Sequence, residues 1–134
     1  MNRTHLEGAA EALAAQQGYA FHTGPEDGMA HTVRSYPAAW LAPLELHAVE
    51  GCGHGRATYD MTLHLLSSGA RLSPAERRTA LARMEEQLLE IFAALSLDER
   101  VLAVEGLSVR PRAFALTPHG EISQTAAARI VTFF

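Results

Sequence analysis

Apolar and polar positions change period several times along these 134 residues, and each change predicts an element. Leu6, Ala10, Leu13 and Ala14 recur at three and four, the stripe of an amphipathic helix over residues 4–17. Thr4 with Glu7 three residues on is a capping-box pattern, and Gly18 is a suitable stop. Tyr19 to His22 reads as a short strand, and 23–32 as a polar, mobile loop. Pro37 and Pro43 punctuate the next segment, so the strand there is expected to begin near Leu44. Leu44, Leu46 and Ala48 then alternate with Glu45, His47 and Val49. After a glycine-rich connection the alternation is cleaner. Tyr59, Met61, Leu63 and Leu65 point one way, and Thr58, Asp60, Thr62 and His64 the other. The pair predicts an antiparallel hairpin with one buried and one polar face.

Ser73-Pro74-Ala75-Glu76 marks a helix start: serine cap, proline at the first helical position, glutamate at the third. Leu81, Met84, Leu88, Ile91, Phe92 and Leu95 carry its apolar stripe to about residue 95, and this helix is expected to cover the sheet. Val101 to Val109 reads as a strand bent at Gly106. Ala113 to Leu116 and Ile122 to Phe134 flank a turn at Thr117-Pro118-His119-Gly120. The expected fold is α+β: one domain over 1–134, an antiparallel or mixed sheet with an N-terminal helix and one long central helix packed on it. The closing apolar strand must be paired and packed, within this subunit or against a neighbour.

Composition sharpens this only slightly. A net charge of −4 gives no reason to expect nucleic-acid binding, which clustered cations drive. All eleven basic residues are arginine, which codon bias explains more simply than selection for bidentate contacts. One cysteine excludes an intrachain disulfide. No stretch approaches the ~18 apolar residues of a membrane span, and no apolar core follows Arg3, so a soluble, intracellular protein is expected.

Candidate chemistry is sparse. Gly51-Cys52-Gly53-His54-Gly55 fails as a dinucleotide fingerprint because a strand follows it. Cys52 and His54, joined by His31, His47 or His64, could supply zinc ligands, but a tight hairpin loop needs the same glycines. Cys52 as a nucleophile lacks an orienting carboxylate. His47, Asp60 and His64 read as a solvated or subunit-facing strand surface, and Glu85, Glu86 and Glu90 as a solvent face. Arg110, Arg112 and Arg129 could form a small basic patch for phosphate or an acidic protein surface. Trp40 reads as a core anchor.

The element order, carried by YPAAWLAPLELHAVEG, GRATYDMTLHLL, SPAERRTALARMEEQLLEIFAAL and the closing ARIVTF, resembles the tail terminator and tail-completion proteins of long-tailed phages and their prophage remnants. The resemblance implies a structural, non-enzymatic protein that forms a ring, usually hexameric, on the head-proximal end of the tail tube. Such a ring stops tube growth and joins the tail to the head connector. Its implied partners are therefore its own copies, the tail tube and the head connector, with no cofactor, no membrane and no direct nucleic-acid contact. Its implied location is the bacterial cytoplasm during assembly, then the virion tail. A ring needs contacts between unlike faces of neighbouring subunits. Loop 23–35 with His31 and Arg34, hairpin loop 50–56 with Cys52 and His54, and Arg110, Arg112 and Arg129 are the candidate contact residues. Two other readings stay open. One is a small metal-dependent enzyme using Cys52, His54 and a further histidine. The other is a dimeric α+β ligand-binding domain with a pocket between the long helix and the sheet.

Overall fold

A computed structural model describes residues 2–112 and 115–134. Its elements are α1 (Asn2–Gln16), β1 (Ala20–Thr23), a 3-10 turn (Glu26–Gly28), α2 (Met29–Thr32), β2 (Ala38–Leu41), β3 (Glu45–Glu50), β4 (Arg56–Ser67), α3 (Pro74–Leu95), β5 (Val101–Pro111) and β6 (Ile122–Phe133). The fold is α+β, with one mixed six-stranded sheet ordered β1-β2-β4-β6-β5. β3 also pairs with β4. Among the described residues only the β1–β2 pairing is parallel.

The predicted strand from Leu44 is the second half of a longer, bent run. β2 pairs antiparallel with β4 from Ala38↔Leu66 to Leu41↔Leu63. β3 then continues along the same side of β4 from Glu45↔Asp60. Pro43 lacks the N–H needed to keep one ladder through the joint, so two strands stand where one was expected. β6 lies between β4 and β5 and pairs with both along most of its length, which satisfies the demand its apolar sequence made.

The cleaner alternation in β4 sorts residues as predicted on one face. Met61, Leu63 and Leu65 are buried beneath the helices, and Tyr59 packs at their edge. α1 contributes Leu6, Ala10 and Ala14 to this core, and α3 contributes Met84, Leu88, Ile91, Phe92 and Leu95. α1 begins before Thr4, so Thr4 sits inside the first turn and not at its cap. Gly18, at φ +88°, closes α1 in a conformation that L side chains resist.

The start of α3 is as predicted. Ser73 Oγ accepts from the Glu76 N–H at 3.1 Å, and the Ser73 N–H donates to Glu76 Oε1 at 3.1 Å. Ser73→Ala should lower unfolding stability by about 1 kcal/mol, read as a shifted urea midpoint at unchanged m-value. The predicted bend in β5 is a bulge: the register slips between Glu105 and Ser108, and Gly106 takes φ +63°. The short strand expected at Ala113 to Leu116 falls partly outside the described residues, and Ala115 and Leu116 are not in a strand.

The segment after β1 departs most from expectation. Residues 24–36 are not a plain polar loop. They fold into the 3-10 turn and α2, and drop Met29 and Val33 onto the sheet face opposite the helices. With Ala38, Trp40 and Leu66 these side chains make a second, smaller core. Trp40 is the predicted anchor, but of this cluster and not of the main one.

Candidate assembly surface

β3 and the first half of β4 extend as a hairpin past the region that the helices cover. All six residues of β3 are exposed. The connection that turns the hairpin needs its glycines: Gly51 and Gly53 take φ +84° and +110°. A Cβ on Gly55 would lie 2.1 Å from the Glu50 carbonyl oxygen. The glycine-rich motif is therefore a hairpin loop. Gly55 and Phe134 exchange two backbone hydrogen bonds, at 3.1 and 3.0 Å, which hold the end of the chain beside the loop.

This end of the molecule carries large exposed apolar side chains. Leu46 and Val49 retain 51% and 52% of their surface, and Phe133 and Phe134 retain 47% each. Together with Ala57 and Tyr59 they line an open cavity of about 650 Å³. A bulge between Leu46 and Ala48 resets the side-chain alternation, so Leu46 (opposite Tyr59) and Val49 (opposite Ala57) share the helix-side face. Asn2 marks where α1 stops short: its Nδ2 donates to Thr132 Oγ1 at 3.0 Å and to the Phe133 carbonyl at 3.1 Å. Arg3 stacks over Tyr59, with its guanidinium carbon 5.4 Å from the ring centre, and donates to the Leu44 carbonyl. Arg100 completes the rim. Strict alternation along β3 hides this surface, because the bulge between Leu46 and Ala48 shifts which residues share a face. The available signal was the terminal Phe133-Phe134 pair, which places an aromatic ring on each face of the last strand.

The structure scatters the residues singled out for chemistry. Cys52 and His54 are exposed at the hairpin tip. His31 and Arg34 are exposed on the segment that covers the other sheet face, at the opposite end of β4. His64, by contrast, is buried. Among the described residues no three His, Cys, Asp or Glu side chains converge as a metal-ligand set. Nor do the three arginines form one patch. Arg110 stands opposite Thr125 and Arg129 opposite Glu105, four residues apart on β6, or roughly 13 Å. Arg129 instead lies 3.7 Å from Asp60, which also lies 3.4 Å from His47.

His64 corrects the polar-face reading of β4. Its ring is 1% exposed, with Nε2 2.9 Å from Glu26 Oε1 and Nδ1 2.7 Å from Thr125 Oγ1. An ionised carboxylate only accepts, so Nε2 carries the proton toward Glu26, and the Thr125 hydroxyl donates to Nδ1. This chain of bonds ties the 24–36 segment to the middle of the sheet. Burial pushes the His64 imidazole below its ordinary value. Hydrogen bonding to Glu26 and its charge pull the other way, and Arg112 pushes down again.

Among the described residues, no helix is long and apolar enough to cross a membrane. The chain matches no protein-family model, and no curated protein matches it significantly.

Proposed function

We propose that this chain is a ring-forming structural protein of a phage or prophage tail, of the tail-terminator kind, with the apolar hairpin end as a contact between subunits. One observation carries the self-assembly half of this reading. Three large apolar side chains, Leu46, Val49 and Phe134, each about half exposed, line one open cavity at the hairpin end, where only the first residues of α1 reach. Contiguous apolar surface of this kind on a soluble chain marks an interaction site. The tail assignment rests on the element order and on the sequence segments that resemble that family, and the mixed sheet with α1 and the long α3 is compatible with it.

Light scattering across a concentration series tests the self-assembly half. The mass should grow from monomer toward one closed ring. Leu46→Asp combined with Val49→Asp should weaken that growth about 30-fold, the size of a lost hot spot. A fixed dimer at every concentration would overturn the ring. The tail half is tested by adding the chain to a polymerising tail-tube protein from the same genome. Tubes should stop short and carry a cap in electron micrographs, and tubes of unchanged length would reject the assignment.

A ligand-binding domain remains the second reading because a cavity of about 550 Å³ does open between α3 and the end of the sheet. It predicts thermal stabilisation by a small molecule, with the cavity as the site of protection.

A further inference from the structure

The second core is closed by a segment whose backbone is not tied to the sheet. Among the described residues, the backbone–backbone hydrogen bonds of 25–36 stay inside the segment. The Gly28 N–H donates to the Pro25 carbonyl, and the Val33 N–H to the Met29 carbonyl. Its neighbours on either side are anchored. The Gly24 N–H donates to the Leu41 carbonyl at 3.2 Å, and the Pro37 carbonyl accepts from the Ala20 N–H at 3.2 Å. Between those fixed ends the chain runs as a strap. Gly24, at φ +139°, lets it leave the sheet through a backbone conformation open mainly to glycine.

Side-chain contacts hold the strap down. Met29 and Val33 are its fully buried apolar groups, and Tyr36 packs at the edge of the same cluster. Glu26 reaches His64 at 2.9 Å, with its own side chain half exposed to water. His119 Nε2 donates to the Ala30 carbonyl at 3.2 Å, again at the surface. Two buried hydroxyls work against closure. Tyr36 Oη and Ser123 Oγ have no hydrogen-bond partner among the described residues, and Ser123 stands opposite Leu66 of the second core. A buried polar group without a partner raises the free energy of the closed form, and water supplies that partner once the strap lifts. The residues of β4 from Leu63 to Leu66 are held instead between β2 and β6. A segment with few buried apolar groups and no backbone ties to its surroundings opens at lower cost than such a strand.

We infer that residues 25–36 open as one unit, hinged beside Gly24 and Pro37, while the main core stays folded. The open form uncovers Ala38, Trp40 and Leu66, an apolar part of the sheet that the closed form hides. This device is independent of the ring-forming reading and stands or falls without it.

Native-state hydrogen exchange of the wild type, followed by NMR at neutral pH across urea concentrations below the unfolding transition, tests it. Two protons report on the strap. One is the Val33 N–H. The other is the Trp40 Nε1–H, which donates to the Gly24 carbonyl beneath the strap. Gly24 and Gly28 cross over that ring, near enough that an added Cβ would stand 3.7 and 4.0 Å from it. The amides of Leu63 to Leu66 report on the main sheet. Both strap protons should show the same protection, about 100-fold below that of β4. Their exchange should hardly change with urea, because a local opening exposes little surface. Strap protons that share the protection and the steep urea dependence of β4 would overturn the inference, since the strap would then leave only when the whole domain unfolds. Protection that differs more than about tenfold between Val33 and Trp40 would overturn it too, because no single unit would be opening.

Discussion

Trp40→Ala should cost about 3–5 kcal/mol of unfolding free energy, a large part of the roughly 5–15 kcal/mol that holds a domain of this size together. The indole is 2% exposed and packs with Met29, Val33, Ala38 and Leu66. Its Nε1–H donates to the Gly24 carbonyl at 2.9 Å, and its ring stacks on His22 with centroids 6.0 Å apart. Deleting it empties the middle of the smaller core and frees one end of the 24–36 segment. Trp40→Phe keeps most of the bulk and loses the hydrogen bond, so it should cost about 1–2 kcal/mol. Urea denaturation followed by far-ultraviolet circular dichroism measures both. Amide exchange should accelerate first across 24–36 and only later in β4 and β6. A Trp40→Ala stability within about 1 kcal/mol of the wild type would mean that the second core contributes little.

Trp40 also shows where pattern reading works and where it stops. Long elements were legible. The Ser73 cap and the three-four stripe located α3, the alternation of Tyr59 to Leu65 located β4, and Gly106 located the bend in β5. Each of these signals repeats along its own element or sits at a position of special backbone chemistry. The second core does neither. It is assembled from one residue here and two there: Met29 and Val33 from a stretch rich in turn formers, Trp40 from a four-residue strand, Leu66 from the end of β4. One clue was present. The supposedly polar set of β4, Thr58, Asp60, Thr62 and His64, continues to Leu66, which follows Leu65 directly. Two adjacent leucines in a strand demand cover on both faces. The assembly surface was illegible for a different reason. A side chain's exposure at the hairpin depends on where α1 and α3 end in space, and periodicity within β3 carries none of that.

The latch between the 24–36 segment and the sheet should make the protein acid-sensitive. His64 is buried between β4, β6 and the 24–36 segment, and its folded-state value lies below the ordinary 6.5. The unfolded chain therefore binds a proton more readily than the folded one as pH falls below about 6.5, and stability must rise with pH in that window. The contribution is complete above 6.5 and is lost progressively as pH drops toward the folded-state value. Glu26 limits the loss, since its carboxylate favours the charged ring, while Arg112 deepens it. Glu26→Gln should accordingly steepen the acid decline. His64→Leu should remove this part of the pH dependence and lower stability at neutral pH by about 1–3 kcal/mol, because Thr125 and the segment lose their shared partner. Trp40 reports the event directly, as its register partner across the ladder is His64. The measurement is urea unfolding by Trp40 fluorescence at about pH 7.5, 6.0 and 5.0 for the wild type and both variants. The chain has seven histidines, so the difference between the wild type and His64→Leu isolates this one. If the two lose stability in parallel over that range, the latch does not sense protons, and Glu26–His64–Thr125 is a fixed structural tie.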